Sequence, residues 1–302
     1  MPAALPPTPR NPLFVPGHRP ERFAKARQTG ADLVIIDLED AVAPQDKDGA
    51  RQTIAAWLDS DAARAPGCPV WLRVNGADTP WFDADAALLA HPGLAGAVCP
   101  KADGAAPLAA LRQAAARELP LIPLIETAAG IAALDEIARA PGVWALAFGA
   151  IDFQVDLGIQ ASDDDMGEEL LFFRSRIVLA SRLGGGKAGL AAPIDGVCTR
   201  LDDPQALAQA AARARRLGFG GKLCIHPSQV APCRAAFSPT ATQQAWARRV
   251  LDAAAQSGGA AVAVDGKMVD LPVMRQAQAI VAAAARDLAG DPAGEGGPAI
   301  PL

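Results

Sequence analysis

The sequence predicts an α/β chain whose eight parallel strands alternate with helices and close into a (βα)8 TIM barrel, with a C-terminal helix-and-hairpin extension acting as a lid. Three observations predict it. Apolar runs recur along the 302 residues, and each is followed by a helical pattern. The runs end in ionisable residues at positions 39, 73, 101, 126 and 152, at steps of 34, 28, 25 and 26 residues. A strand–helix unit of an eight-fold barrel takes about 30 residues, and such barrels collect their chemistry where the strands end. The runs are also continuously apolar rather than alternating, as in strands of a parallel sheet covered on both faces.

The elements follow in order. Residues 13–15 are a short apolar run closed by Pro16-Gly17. A helix begins near Pro20, because proline suits a first helical turn. Residues 32–38 are the second strand. Residues 46–59 place Ala50, Ile54 and Trp57 at helical spacing. Further strands are expected at 70–74, 95–99, 120–125, 143–148, 190–198 and 221–225. Helices are expected between them at 81–90, 105–117, 128–139, 165–182 and 203–216. A doubly wound open sheet is the alternative, but it needs a glycine-rich phosphate turn after its first strand, and Pro16-Gly17-His18-Arg19 is a poor one.

The barrel is assigned to residues 1–235. Residues 236–288 are expected to form a lid or oligomerisation arm. They comprise a helix over 240–256, two short strands flanking the turn signal Asp265-Gly266, and a helix from Leu271 to Leu288. Residues 289–302 are rich in Gly and Pro and are expected to fray as a flexible tail.

Composition excludes several classes. Net charge is −5, and lysines and arginines are dispersed, so no basic tract points to nucleic acid. No apolar run approaches the length of a membrane span. The Pro-rich start, Met1 to Pro12, lacks the apolar core of a secretion signal. Five widely spaced cysteines read as reduced thiols in a cytoplasmic protein.

The strand-end residues carry the chemistry. Glu126 and Asp152 fall at the ends of adjacent strands, which lie about 5 Å apart in a sheet. Two converging carboxylates suit a hard divalent ion such as Mg2+, with waters and substrate oxygens completing the octahedron. The competing reading is that each caps a helix or turn. Arg73 ends an apolar strand and needs an anion, either a substrate oxyanion or a structural partner in Asp37 or Glu39. Asp37 and Glu39 share one face of an alternating strand, so one suits a base and the other an orienting group. Lys101 suits a Schiff base or, more simply, an ion pair. His226, before Pro227, is a base or a scaffold element. Ser and Cys nucleophile signatures are absent.

Several segments together carry a resemblance. They are Pro12-Leu13-Phe14-Val15-Pro16-Gly17, Asp37-Leu38-Glu39-Asp40-Ala41-Val42, Leu72-Arg73-Val74-Asn75 and Pro100-Lys101. With them go Ile125-Glu126-Thr127-Ala128-Ala129-Gly130, Phe148-Gly149-Ala150-Ile151-Asp152, Gly218-Phe219-Gly220-Gly221-Lys222 and Ile225-His226-Pro227-Ser228-Gln229. In order and spacing, over about residues 10–285, the chain resembles the citrate lyase β-subunit-like branch of the HpcH/HpaI aldolase superfamily.

The resemblance implies a Mg2+-dependent barrel that cleaves citryl-, malyl- or citramalyl-thioesters to an acetyl-thioester and an α-keto acid. It implies Glu126 and Asp152 as metal ligands and Arg73 as the group facing the enolate or keto oxygen. Phe14, Arg19 and Lys25 match coenzyme A contacts of malyl-CoA lyases. Met268-Val269-Asp270-Leu271-Pro272 resembles their lid motif, in which the residue at Asp270 reaches a neighbouring subunit's site as acid/base beside an acid at the Glu39 position. A homotrimer, or a multiple of it, acting on a small acyl-CoA or keto-acid substrate is the implied assembly. Alternatives within the resemblance are a citrate lyase β-subunit acting on a citryl-carrier protein and a pyruvate aldolase that uses no CoA. Asn11, where relatives carry serine, and the loop Gly184-Gly185-Gly186-Lys187 depart from the pattern.

Overall fold

The computed structural model describes residues 8–160, 168–186, 189–256 and 262–289. The first seven residues, Lys187, the start of the helix expected from 165, and the tail beyond 289 lie outside them.

The chain divides into two compact units, Met1–Phe237 and Ser238–Leu302. The first unit holds eight parallel strands in sequence order: β1 (Leu13–Pro16), β2 (Val34–Asp37), β3 (Val70–Arg73), β4 (Gly96–Cys99), β5 (Leu121–Ile125), β6 (Ala147–Phe148), β7 (Ile194–Asp195) and β8 (Gly221–Lys222). The last strand's end meets the first. Phe14 N donates to Cys224 O at 2.9 Å, Cys224 N to Pro12 O at 2.8 Å, and Lys222 N to Arg10 O at 3.0 Å. This is an eight-stranded curled parallel sheet, consistent with the barrel that the strand–helix alternation predicts.

Side-chain alternation along each strand builds two apolar layers. Ile35, Trp71, Val98, Ile122, Leu124, Ala147, Ile194 and Leu223 form one cluster, with Trp71 and Trp144 ring centroids 5.3 Å apart. Trp71 pairs in register with Gly96, where any Cβ would sit 2.4 Å from the indole, so the ring lies over the bare backbone of β4. The opposite residues (Val34, Ile36, Leu72, Cys99, Leu121, Ile125 and Phe148) join the helices in the larger cluster.

The helices of this unit are α1 (Phe23–Arg27), α2 (Lys47–Leu58), α3 (Asp61–Arg64), α4 (Phe82–Ala87), α5 (Ala105–Ala115), α6 (Ala128–Ala132), α7 (Leu134–Arg139), α8 (Ala150–Leu157), α9 (Leu171–Leu183), α10 (Pro204–Leu217) and α11 (Val230–Phe237). The strand expected over 143–148 reduces to two residues, as does that over 190–198. The helix expected over 128–139 breaks at Ala133. α11 has no counterpart among the expected elements.

The second unit contains α12 (Ala241–Gln256), the antiparallel pair β9 (Val262–Val264) and β10 (Lys267–Val269), and α13 (Leu271–Ala289). Asp265 and Gly266 both take positive φ, 52° and 74°, the geometry of the two-residue hairpin turn that Asp-Gly signals. Ala247, Val250, Val269 and Ala277 form its core.

Asn11 is buried at the start of β1. Its Nδ2 donates to Gly30 O and Val230 O, and its Oδ1 accepts from Asp32 N. The departure from serine at this position is met by scaffold bonding. Of the five free cysteines, four are buried and Cys68 is half-buried. Among the described residues, no helix is long and apolar enough to cross a membrane.

Candidate active site

The alternation that buries Ile36 and Leu72 against the helices turns Asp37 and Arg73, the last residues of β2 and β3, to the other face. Glu126 follows β5 in the same phase as Leu124. Asp37, Glu39, Arg73 and Glu126 are all buried. Arg73, Asp37, Glu126 and Asp152 line one cavity of about 380 Å3, with Phe14 in its wall.

Asp37 and Arg73 are register partners. Arg73 Nε donates to Asp37 Oδ1 at 2.6 Å and Nη2 to Oδ2 at 2.7 Å. Nη1 lies 2.8 Å from Glu39 Oε2 and 3.3 Å from Asp40 Oδ2. The guanidinium carbon stands 4.8 Å from the Phe14 ring centroid. The structural-partner reading of Arg73 therefore holds in this state, while the residue still faces the cavity. Burial works to raise the Asp37 carboxyl, but Arg73 outweighs it and holds the group below the usual carboxylate range.

Lys101 bridges Glu126 and Glu39. Its backbone N–H donates to Glu126 Oε1 at 2.7 Å and its ammonium to Glu39 Oε1 at 2.8 Å. To do both it takes φ 45°, a left-handed conformation that an L side chain adopts at a cost. The ion-pair reading of Lys101 is the one the geometry supports.

Glu126 is a buried carboxylate whose charged form is disfavoured by its surroundings. Burial, then the nearby Glu39 charge, pushes its pKa up to about 8, against the Lys101 amide and Arg73, and Asp152 adds to the rise. Its Oε2 lies against Gly149, where a Cβ would be 2.2 Å away. Asp152 is not a strand-end residue as expected: it lies in the first turn of α8, because the helix starts at Ala150, directly after β6. The two acids line a second cavity as well, with Asp78, Asp103 and Asp156. Among the described residues no group of three or more His, Cys, Asp or Glu could hold a metal. A two-carboxylate site fits a hard octahedral ion that keeps waters and substrate oxygens, and not a tetrahedral zinc site.

Sequence reasoning missed the support under this corner. The buried Lys47 donates to Leu38 O at 2.7 Å, Glu39 O at 2.8 Å and Asn75 Oδ1 at 2.6 Å, and lies 5.0 Å from the Trp81 ring centroid. Asn75 Nδ2 donates to Asp85 Oδ2 and Leu38 O. The available signal was a lysine at the first position of an amphipathic helix, on the same face as the buried Ala50 and Ile54.

Arg19 and Lys25 are exposed, and Arg19 Nε donates to Glu21 Oε1 at 2.6 Å. Asp270 belongs to the second unit, where Val273 N donates to its Oδ1 at 3.2 Å at the start of α13. His226 caps a short turn through Ser228, a scaffold role.

Residues 10–227 match the HpcH/HpaI aldolase/citrate lyase family. The chain belongs to that family. A citrate lyase subunit beta-like protein of Deinococcus radiodurans is 39% identical over 289 residues, covering 90% of this chain and 96% of the relative. An L-malyl-CoA/beta-methylmalyl-CoA lyase of Cereibacter sphaeroides is 34% identical, covering 89% and 92%. The solved structure of CitE from Mycobacterium tuberculosis, in complex with magnesium, acetoacetate and coenzyme A, superposes with a TM-score of 0.78 at 34% identity, covering 93% of this chain and 99% of that one.

Proposed function

We propose that this chain is a Mg2+-dependent carbon–carbon lyase that cleaves a β-hydroxyacyl-CoA of the citramalyl-CoA or malyl-CoA type to acetyl-CoA and an α-keto acid. One observation carries the reading: the buried Glu126 and the half-buried Asp152 line one cavity with Arg73. Relatives named as lyases of this type, and one that holds magnesium and coenzyme A, support it.

Glu126 and Asp152 would hold the ion, which when bound polarises the substrate's hydroxyl and carboxylate oxygens. The reaction conserves atoms. The hydroxyl loses its proton, the bond between the hydroxyl-bearing carbon and the adjacent CH2 breaks, and the electron pair goes to the thioester as an enolate. A proton delivered to that carbon makes the acetyl group. Arg73, held rigidly by Asp37, offers positive charge to the developing oxyanion without reorganising. Glu39 and Asp270 are the proposed acid/base pair, with Asp270 brought by the lid of a neighbouring subunit. Phe14, Arg19 and Lys25 are the proposed coenzyme A contacts.

The proposed assembly is a trimer of barrels with lid extensions, and the proposed compartment a reducing cytoplasm, in keeping with five free cysteines. A screen of CoA thioesters with Mg2+, scored by mass spectrometry for acetyl-CoA and keto acid, tests the reaction. Cleavage only of carrier-bound citryl groups would select the citrate lyase β-subunit reading. Condensation of pyruvate with aldehydes, indifferent to changes at Arg19, would select the aldolase.

A further inference from the structure

We infer that Lys47, Asn75 and Asp85 are positioning residues of the reaction, a buried polar chain that fixes the main chain at Glu39 and, through it, the place of the Glu39 carboxylate. The inference rests on the lyase reading and adds to it three residues that line neither of the two cavities.

Lys47, on α2, is buried and uses three donors, on Leu38 O at 2.7 Å, Glu39 O at 2.8 Å and Asn75 Oδ1 at 2.6 Å. A neutral amine has only two N–H groups, and carbonyl oxygens have no proton to give, so the three bonds require the ammonium. None of the three acceptors is a carboxylate. A buried charge is costly unless it is well bonded, and here it is directed at two successive main-chain carbonyls. The amide of Asn75 has one orientation that serves all its partners. Its oxygen faces the ammonium, and its Nδ2 donates to Leu38 O at 3.0 Å and Asp85 Oδ2 at 2.6 Å. Asp85, on α4, also accepts from Asn75 N at 2.8 Å and from Arg51 Nη1 at 2.8 Å.

The chain ends on Glu39. The N–H of Glu39 donates to Asp37 Oδ1 at 2.9 Å, and its C=O accepts from Lys47 at 2.8 Å and from Val42 N at 3.2 Å. With the main chain clamped on both sides of Cα, only side-chain torsions are left to place the carboxylate. Two cations settle those: Lys101 Nζ lies 2.8 Å from Oε1 and Arg73 Nη1 2.8 Å from Oε2. A group that moves a proton must stay within hydrogen-bond reach of its target, and a misplacement of about 1 Å can cost about 10²-fold in rate. Glu126 is held separately, by the Lys101 amide, and Asp152 stands on α8. Loosening the chain therefore disturbs the acid/base group and spares the two carboxylates proposed to hold the ion.

Steady-state kinetics on the full chain, with Mg2+ and with citramalyl-CoA and malyl-CoA as probes, test this in wild type and in Lys47→Met, which nearly keeps the side chain's length and removes its charge. The expected result is a fall in kcat of about 10²-fold, with KM unchanged and with Mn2+ affinity, followed by electron paramagnetic resonance, unchanged. A purely structural role would lower the melting temperature and leave kcat per folded molecule alone, and that result would overturn the inference. A joint loss of kcat and Mn2+ affinity would overturn it too, because the whole corner would then have moved. Where Lys47→Met does not fold, Asp85→Asn carries the test. It keeps the shape of the core, turns an amide toward Arg51 and loosens Asn75. Its kcat is expected to fall about tenfold at unchanged KM, and wild-type kcat in that variant would overturn the inference while leaving the lyase reading standing. Absence of turnover of both thioesters by the wild type would remove the lyase reading, and the inference with it.

Discussion

Asp37 and Arg73 face each other across β2 and β3 and are joined by two parallel hydrogen bonds of 2.6 and 2.7 Å. The fork fixes the plane of the guanidinium before any substrate arrives, and Phe14 stacks against it. A lysine cannot reproduce two parallel bonds. Arg73→Lys is therefore expected to lower kcat by about 10²–10³, with Mg2+ affinity by calorimetry unchanged. Wild-type kcat in that variant would mean that charge alone, not its orientation, matters here.

Gly149 makes room for Glu126. A methyl group at this position would overlap the carboxylate, 2.2 Å from Oε2 and 2.5 Å from Cβ. Gly149→Ala is expected to weaken Mn2+ binding, followed by electron paramagnetic resonance, by about 10–100-fold, as for other disturbances of a ligand's support. The far-ultraviolet circular dichroism should not change.

Lys101 spends backbone strain to reach two acids at once. Glycine takes φ 45° freely and alanine only at a cost, and both lose the ammonium. Chemical denaturation should therefore find Lys101→Gly more stable than Lys101→Ala by about 1 kcal/mol. Both should fall short of the wild type in kcat, because Glu39 loses its partner. Equal stability of the two variants would show that the conformation carries no strain.

Behind the site, Asp195 on β7 is fully buried between Arg174 of α9 at 2.9 Å and Lys222 of β8 at 3.1 Å. Burial opposes ionisation of Asp195, but Lys222 and then Arg174 outweigh it and bring the carboxyl down to about 2 from 3.8. A carboxyl depressed on folding contributes stability above its unfolded pKa, and that contribution is lost as pH falls through the folded one. About 2 kcal/mol should thus disappear between roughly pH 4 and pH 2. Asp195→Ala leaves two cations buried and should cost about 3–5 kcal/mol at pH 7. Urea titrations at pH 7, 4 and 2.5 check both values. A gap between wild type and variant that does not narrow toward acid would contradict the assignment.

Most of the curled parallel sheet was legible because burial on both faces makes parallel strands apolar runs, and their ends are marked by Asp37, Arg73 and Glu126. The signal fades where strands shorten. Only Ala147 and Phe148 pair in β6, so Asp152 reads as a strand end although it lies on a helix. α11 was missed because Pro232 interrupts a short pattern after Pro227. Asp195, Lys222 and Arg174 are far apart in sequence, and only register brings them together. The left-handed turn at Lys101 has no local signature, since no glycine or asparagine marks it.

The central claim is that Glu126 and Asp152 hold the ion on which carbon–carbon cleavage depends. Its most direct measurement is acetyl-CoA formation from citramalyl-CoA and malyl-CoA, by mass spectrometry, in wild type and Glu126→Gln, with Mg2+ and after chelation. The expected result is turnover by the wild type with Mg2+, and loss of about 10³-fold or more both on chelation and in Glu126→Gln. Undiminished turnover under chelation, or in the variant, would contradict it.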